Sequence, residues 1–585
     1  MMRRLLSSTA CGLLSAVLIG TTPTPATAQS FQGGLRGAVK DAQGVIPGVT
    51  VTLVNESNGV TRDTVTNSVG EYSFPAVDPA MYGIKAVVQG YKTFERKGMT
   101  IGTQQFVTLD IVLEVGAIEE TITVTGESPI VETSNASVGE VLNSQTLQSL
   151  PTVGRNAFLM AVTVPTVVSS GDTHWNRMQD QTGASALSMG GGGVRANNYL
   201  LDGFPVTDLG NRSSTNPSVE ALEDIKVQIH TYDAEMGRTG GGVFNATAKS
   251  GSNTFRGTGF AQLRPGKLIG PNFFARITGQ EDKAQFWRDF GSGFGGPIKK
   301  DKTFFWWAAE GYRDGLSQNG NLRFPTSAER LGDFSKFVGA NGAMIPIYDP
   351  LTGDANGNGR TQFPNNQIPA GRISPVALQI LKALPLPNNG SDLDNGTNYS
   401  AIDTIRDAAQ QTSLKIDHHF NSRIALSGTY LWQNSHEPDN NFFPNAPYAA
   451  PSFFLNRVIN VFVLNNTYIM GPTTVLTLRY GMNTFRDDNA LPFDFDTHTF
   501  GWNKAFADAI PVQKYPSFAF TSYGGTGYSG KTDRVYYSHG INGALTKLPA
   551  NTASSLGAII GLWESMLSAM ARRPAAIRST DSTHA

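Results

Sequence analysis

Gly190-Gly191-Gly192-Gly193-Val194-Arg195-Ala196-Asn197-Asn198-Tyr199-Leu200-Leu201-Asp202-Gly203 stands a short way ahead of Tyr232-Asp233-Ala234-Glu235-Met236-Gly237-Arg238-Thr239-Gly240-Gly241-Gly242-Val243-Phe244-Asn245-Ala246-Thr247-Ala248-Lys249-Ser250-Gly251. Four consecutive glycines permit unusual backbone angles or close backbone approach, and Asp202-Gly203 after Tyr-Leu-Leu is a tight-turn signal. Between the two blocks Ile225, Val227 and Ile229 fall on one face of a strand. No Gly-Lys-Ser/Thr follows the glycines and no helix pattern begins there, which excludes a phosphate-cradling loop. Gly291-Ser292-Gly293-Phe294-Gly295-Gly296 fits a dinucleotide motif by letter, but it runs into Pro297 and a strand where that site needs a helix N-terminus.

Upstream the sequence alternates with period two. Val49, Val51 and Leu53 form one stripe, Tyr82, Ile84, Ala86 and Val88 a second, and Val107, Leu109, Ile111 and Leu113 a third. Turn signals at Asp41-Ala42-Gln43-Gly44, Asn58-Gly59, Val69-Gly70 and Gln89-Gly90 separate them, so residues 29–115 read as a small β-sandwich. Pro47-Gly48-Val49, Gly70-Glu71-Tyr72-Ser73-Phe74 and Gly90-Tyr91 resemble the carboxypeptidase regulatory-like domain, which implies an immunoglobulin-like accessory module without catalysis of its own. Arg3, Arg4, a short apolar run over 11–19 and Ala26-Thr27-Ala28 mark residues 1–28 as a secretory signal peptide. Cys11 is the single cysteine and lies in that leader, so an exported chain beginning near Gln29 has no disulfide, thiolate ligand or cysteine nucleophile.

Residues 116–135 read as a linker containing Glu119-Glu120-Thr121-Ile122-Thr123-Val124-Thr125-Gly126. Taken alone, this β-prone stretch is equally an ordinary edge strand and an extended segment that adds to another protein's sheet. Residues 141–150 predict a short helix capped by Asn143 or Ser144 and stopped by Pro151.

Downstream, Phe255-Arg256-Gly257-Thr258-Gly259-Phe260 predicts a first barrel strand. Residues 286–296, a Pro297-Ile298-Lys299-Lys300-Asp301-Lys302 turn and the aromatic run from Thr303 through Phe304-Phe305-Trp306-Trp307 to Tyr312 predict a hairpin. Clustered aromatics beside a short polar turn suit the rim of a transmembrane barrel, although a soluble sandwich core also accommodates them. Residues 414–420, 423–432, 458–468 and 475–485 predict further strands near the 9–11 residues that a tilted crossing needs. A long polar loop spans 317–411, in which Asp354-Ala355-Asn356-Gly357-Asn358-Gly359 starts like a calcium loop but has Asn365 at the closing position, which favours a plain turn. His418 and His419 are adjacent, so on a strand they face opposite ways and do not share a metal. Leu556, Ile559, Ile560, Trp563, Met566, Leu567 and Met570 predict an amphipathic helix in an Arg-rich tail over 546–585.

The 195–203 turn followed by the 232–251 block resembles the plug of Oar-like TonB-dependent outer-membrane receptors. So do Ile347-Tyr348-Asp349-Pro350, Arg372-Ile373-Ser374-Pro375 and Ser538-His539-Gly540-Ile541-Asn542-Gly543-Ala544. The resemblance implies a mainly β chain with an α+β plug over 136–250 and the first part of an antiparallel transmembrane barrel over 251–545. Arg195, Asn198, Asp202, Gly203, Tyr232, Glu235 and Arg238 are its plug motif. Thr121, Ile122, Thr123 and Val124 are similar to a TonB box, the segment offered to a TonB-type periplasmic energy-coupling protein. Of the charges, Glu223, Asp233, Glu235, Arg195 and Arg238 are candidates for latching plug to wall.

These readings place the chain in a Gram-negative-type outer membrane, in contact with lipid and an extracellular ligand that stays open among siderophore, oligosaccharide, peptide and exported protein. With 46 Lys+Arg against 47 Asp+Glu the net charge is -1, which disfavours nucleic acid as a partner. No catalytic grouping, metal site or cofactor is expected. Plug-bearing barrels use about 22 strands, and residues 251–545 less the loop supply roughly 14, so a truncated or frame-shifted barrel is expected. The leading expectation is a receptor and transporter, with a non-transporting surface adhesion protein as the alternative. A secreted multidomain β-protein is a third reading.

Overall fold

The computed structural model describes residues 32–118, 121–124, 138–150, 152, 154–171, 177–179, 181–208, 210–229, 239–268, 273–278, 286–339, 341–388, 396–438, 442–443, 454–471, 474–490, 495–510, 513, 515–518, 520, 522–525, 531–547 and 556–573. The proposed leader lies outside them, as do Tyr232, Asp233, Glu235 and Arg238.

The N-terminal unit is a β-sandwich. One sheet contains Gly33–Lys40, Glu71–Val77, Phe106–Thr108 and Ile111–Val112, and the other runs in the order Thr61–Val65, Thr50–Asn55, Ala80–Val87, Thr93–Ile101, Thr121–Val124. The alternating stripes meet between the sheets: Val49, Val51, Leu53, Ile84, Val107 and Ile111 are buried together. The Tyr72 hydroxyl, buried at one end, donates to the Leu109 carbonyl at 2.7 Å, as a buried phenol must.

The unit expected to be a plug, called the plug below, follows with a five-stranded sheet in the order Val138–Asn143, Leu222–Ile229, Gly242–Ala248, Asn198–Leu201, Phe204–Pro205. The helix expected over 141–150 is half strand: it begins only at Ser144 and ends at Ser149. Asn143 is its cap, accepting from the Thr146 N–H at 2.9 Å. The residues before that cap pair with Leu222–Ile229 instead, because a sheet partner outweighs helix propensity in a β-branched stretch.

Ten antiparallel strands form the large sheet that follows. Arg256–Arg264, Phe286–Lys299, Thr303–Leu322, Ala408–His419, Ile424–Pro438, Phe454–Gly471, Thr474–Ala490, Lys531–Lys547 and Leu556–Arg573 pair in sequence, and Tyr399–Ile405 extends Thr303–Leu322. Its first and last strands are not paired with one another among the described residues, so the sheet is not closed. The faces alternate with period two: Asp289, Glu310, Gln411, Gln433, Asn465 and Asn483 are buried on the inner face beside apolar Leu431, Ile459, Val461 and Phe485, while Phe290, Trp307, Leu414, Tyr430, Leu478 and Tyr537 are exposed on the outer one. An apolar outer face over an inner face that carries buried polar residues suits a barrel in lipid.

Several strand bounds differ from expectation. The turn expected at 297–302 is confined to 300–302, because Pro297 stays in the strand at a register shift. The loop expected over 317–411 is shorter, since Leu316 to Leu322 pair with Tyr399–Ile405. Strands run past the length that a bilayer needs because paired backbone is also stable in water beyond the membrane. The aromatic run splits between faces: Phe304 and Trp306 are buried inside while Trp307 is exposed outside. Residues 556–573 form a strand against Lys531–Lys547 rather than the helix that their periodicity suggested. Pairing there satisfies the backbone groups along one side of Lys531–Lys547, which a helix alongside would leave without partners.

Short connections join the strands at one end of this sheet, and the long connections leave the strands at the other. Long loops mark the extracellular side. There Phe324, Leu384, Phe442, Phe443, Phe500 and Tyr515 pack into one cluster. Arg330 ties that cap down, its guanidinium donating to the Leu381 and Leu384 carbonyls at 2.5 and 3.0 Å at the end of the helix Pro375–Ala383. Ile347-Tyr348-Asp349-Pro350 and Arg372-Ile373-Ser374-Pro375 meet through a two-pronged Arg372 to Asp349 pair at 2.9 and 2.6 Å. Asp354 is satisfied by its own turn, accepting from the Asn356 and Asn358 N–H groups at 2.9 and 2.8 Å.

Candidate functional site

Plug and wall share a core. Tyr199, Leu201, Phe204, Ile225 and Phe244 of the plug lie in one buried apolar cluster with Leu431, Ile459, Val461, Val463, Phe485 and Tyr536 of the sheet's inner face. Phe204 enters a notch formed by Gly481, where any Cβ would overlap its ring. The plug therefore packs against the inner face of the sheet.

Polar latches surround that core. Asp202 keeps the left-handed backbone of the Asp202-Gly203 turn (φ 47° and 77°). Its carboxylate accepts from the Ala248 N–H at 2.9 Å within the plug and from the Thr429 hydroxyl on the wall at 2.6 Å. Lys415 stands 3.7 Å from it and donates to the Ala248 carbonyl at 2.8 Å. Arg479 donates to the Gly203 carbonyl at 2.9 Å and to Asn465 at 2.8 Å. A second latch centres on Glu220, which pairs with Arg155 at 2.8 Å and accepts from the Thr258 hydroxyl at 2.5 Å, while its carbonyl accepts from the Trp306 indole at 2.9 Å. Gly293 and Gly295, two of the glycines that mimic a dinucleotide motif, leave the room that the Trp306 ring fills. Beside them the Ser218 hydroxyl donates to Glu310, and its N–H to Gln411 at 2.6 Å. A third latch joins Arg177 to Asp407 and, at 3.6 Å, to Asp314.

Of the residues singled out in the sequence, Asp202 and Gly203 thus lie at the wall. Asn198 is buried and accepts from the Thr207 hydroxyl at 2.9 Å, which helps to hold the turn. Arg195 is exposed with φ 64° and makes no latch among the described residues. Glu223 is half-buried, with its carboxyl raised above the usual range by burial, opposed by Lys249 and Lys415. Arg155, Arg177 and Glu220, which form the other two latches, carry no local motif; their burial depends on partners far along the chain. His418 accepts or donates at Thr303 (2.7 Å) and His419 packs on Phe304, on opposite faces as the spacing required.

The sandwich docks where the short turns are, on the outer surface of the plug strand Leu222–Ile229. That strand is buried on both faces: Ile225, Val227 and Ile229 face the plug core, while Asp224 and Lys226 face the loop after Ile101. Asp224 accepts from the Thr103 N–H at 2.9 Å and hydroxyl at 2.5 Å, and that hydroxyl also bonds Thr247. Lys226 donates to the Gln104 carbonyl at 2.8 Å. Farther out, Asn253 bonds Asp301 at 2.7 Å and the Asn58 carbonyl at 2.5 Å, which ties sandwich to barrel turn.

Burial pushes the Asp224 carboxyl up to about 6 against the Thr103 hydrogen bonds that favour its charge. An acid whose folded value is raised binds more proton folded than unfolded, so its contribution to stability falls as pH rises from about 4 to about 6. Asp224→Asn removes that titration. The variant is expected to gain stability relative to the parent across this window, read as thermal unfolding in detergent at a series of pH values. A difference that does not change with pH would contradict it.

The parts of this architecture have counterparts. Residues 34–114 match the carboxypeptidase regulatory-like domain and residues 247–558 the outer membrane beta barrel domain. The TonB-dependent transporter Oar of Myxococcus xanthus is 28% identical over 317 residues, which cover 52% of this chain and 28% of Oar. Among solved structures, the outer membrane transporter YddB from Escherichia coli aligns with a TM-score of 0.43 at 12% identity, over 70% of this chain and 45% of that one. A mutant of the ferric enterobactin receptor PfeA from Pseudomonas aeruginosa aligns at 0.36 and 12%, over 70% and 48%. The chain therefore spans less than half the length of each. Since the barrel-domain match covers more than half of the 585 residues, the chain belongs to the outer membrane beta barrel domain family.

Proposed function

We propose that this chain is an exported outer-membrane receptor of the TonB-dependent kind, in which a plug held in a barrel lumen is loosened by a pull from the periplasm. The observation that supports this most directly is the shared core of plug and wall, ringed by ion pairs that hold the plug against the wall through non-covalent contacts. The sandwich at the short-turn end is then periplasmic and the folded loop cap faces outward to meet a ligand. In this reading the energy-coupling partner takes hold at Thr121–Val124 by adding a strand, residues 1–28 are the export signal, and Oar's description as a transporter indicates passage of cargo.

Proline at Ile122 removes a backbone donor and fixes φ within the coupling segment. Ile122→Pro in the full chain is expected to weaken binding of the periplasmic domain of a TonB-type protein by at least about tenfold, measured by titration in detergent. Unchanged affinity would remove Thr121–Val124 from the mechanism.

A further inference from the structure

The segment Thr121–Val124 is the outermost strand of the larger sandwich sheet, parallel to Thr93–Ile101 with Thr93, Phe94, Glu95 and Arg96 opposite Thr121, Ile122, Thr123 and Val124. The other pairings in that sheet are antiparallel. The lead-in is pinned along the same path: Lys92 N–H donates to the Glu114 carbonyl at 2.8 Å, Gly116 N–H to the Gly90 carbonyl at 3.1 Å, and the buried Thr93 hydroxyl to the Ile118 carbonyl at 2.8 Å. A short parallel ladder is less stable per residue than an antiparallel one, so this strand is the readily exchanged member of its sheet. The acceptor strand continues at Ile101 into the loop whose Thr103 and Gln104 grip Asp224 and Lys226 of the plug. One strand thus carries the coupling segment near its start and the plug contact just past its end.

We propose that the edge at Thr93–Arg96 is a strand-acceptor site which Thr121–Val124 occupies in cis, so that the energy-coupling partner captures the segment only after it leaves the sandwich. This rests on the reading of Thr121–Val124 as the coupling segment. When only the released fraction is competent, apparent affinity is reduced by that fraction, and any change that loosens the cis strand tightens partner binding.

Two variants of the full chain test it against the periplasmic domain of a TonB-type protein. Thr93→Ala deletes the hydroxyl that holds Ile118 without touching the coupling segment, and is expected to raise partner affinity about three- to tenfold; Thr93→Ser, which keeps the hydroxyl, is expected to bind like the parent. Glu95→Cys with Thr123→Cys places cysteines at paired positions on neighbouring strands, whose backbones lie about 4.8 Å apart, a spacing that a disulfide spans. The oxidised chain is expected to bind at least about tenfold more weakly than the same chain reduced. Equal binding by oxidised and reduced forms, or no tightening in Thr93→Ala, overturns the proposal and indicates that the partner adds to the free outer edge instead. If the reduced parent does not bind, or Ile122→Pro binds equally well, the coupling-segment reading itself fails and the proposal falls with it.

Discussion

Arg155→Met is expected to destabilise the seated plug by about 3–5 kcal/mol, the cost of leaving buried charge without its partner. Arg155 is buried, as is the Glu220 that it meets at 2.8 Å, and its guanidinium lies 3.6 Å from the centre of the Phe260 ring on the wall. It is also the cation whose charge acts on Asp289 and Glu310, two buried carboxyl groups on adjacent barrel strands. Methionine keeps much of the length and packing of arginine but leaves three acids facing one another across the plug boundary. The plug should then become sensitive to trypsin in membranes, and the melting temperature in detergent should drop by several degrees. Glu220→Gln in the same chain removes one of the stranded charges and should restore part of the loss, because the two residues form one unit. If the single variant melts and resists protease like the parent, the latch is decorative and the plug is held by its apolar core alone.

The contrast between what the sequence revealed and what it hid follows from contact distance along the chain. The sandwich stripes were legible because period two is local: Val49, Val51 and Leu53 are neighbours in sequence and in the core. Asp202-Gly203 was legible as a turn for the same reason. Its role at the wall was not, because Lys415 and Thr429 lie more than two hundred residues away and only register brings them opposite. Arg155 and Arg177 sit in stretches with no motif and are buried, whereas Arg195 sits inside the recognisable block and is exposed, so the local pattern pointed to the wrong arginine. The extra hairpin strand Tyr399–Ile405 escaped notice because its polar residues, Ser400, Asp403 and Thr404, read as loop until a partner strand supplies the ladder. Residues 556–573 show the converse: an apolar stripe with helical spacing pairs as a strand beside Lys531–Lys547, since Leu, Ile and Met satisfy either periodicity once small residues fill the gaps.

Asp202→Ala should cost about as much as losing Arg155, roughly 3 kcal/mol or more, but for a separable set of reasons. The carboxylate accepts from the Ala248 N–H and the Thr429 hydroxyl and balances Lys415, all in a site with no exposure. Alanine removes both acceptors and also has to adopt φ near 47°, which adds about 1 kcal/mol of backbone strain for a residue with a Cβ and no local hydrogen bond. Two companions divide the sum. Asp202→Gly removes the carboxylate but tolerates the backbone, so its difference from Ala measures the strain. Asp202→Asn keeps one oxygen to accept from Ala248 or Thr429 and favours the left-handed region, so its loss reports mainly the missing charge opposite Lys415. The expected order of melting temperature is parent, then Asn, then Gly, then Ala. Equal losses in Asn and Ala would make the charge the whole effect and the turn irrelevant. If Gly matches the parent, the wall contacts of this carboxylate contribute nothing, and the plug's most recognisable turn serves only the plug's own fold.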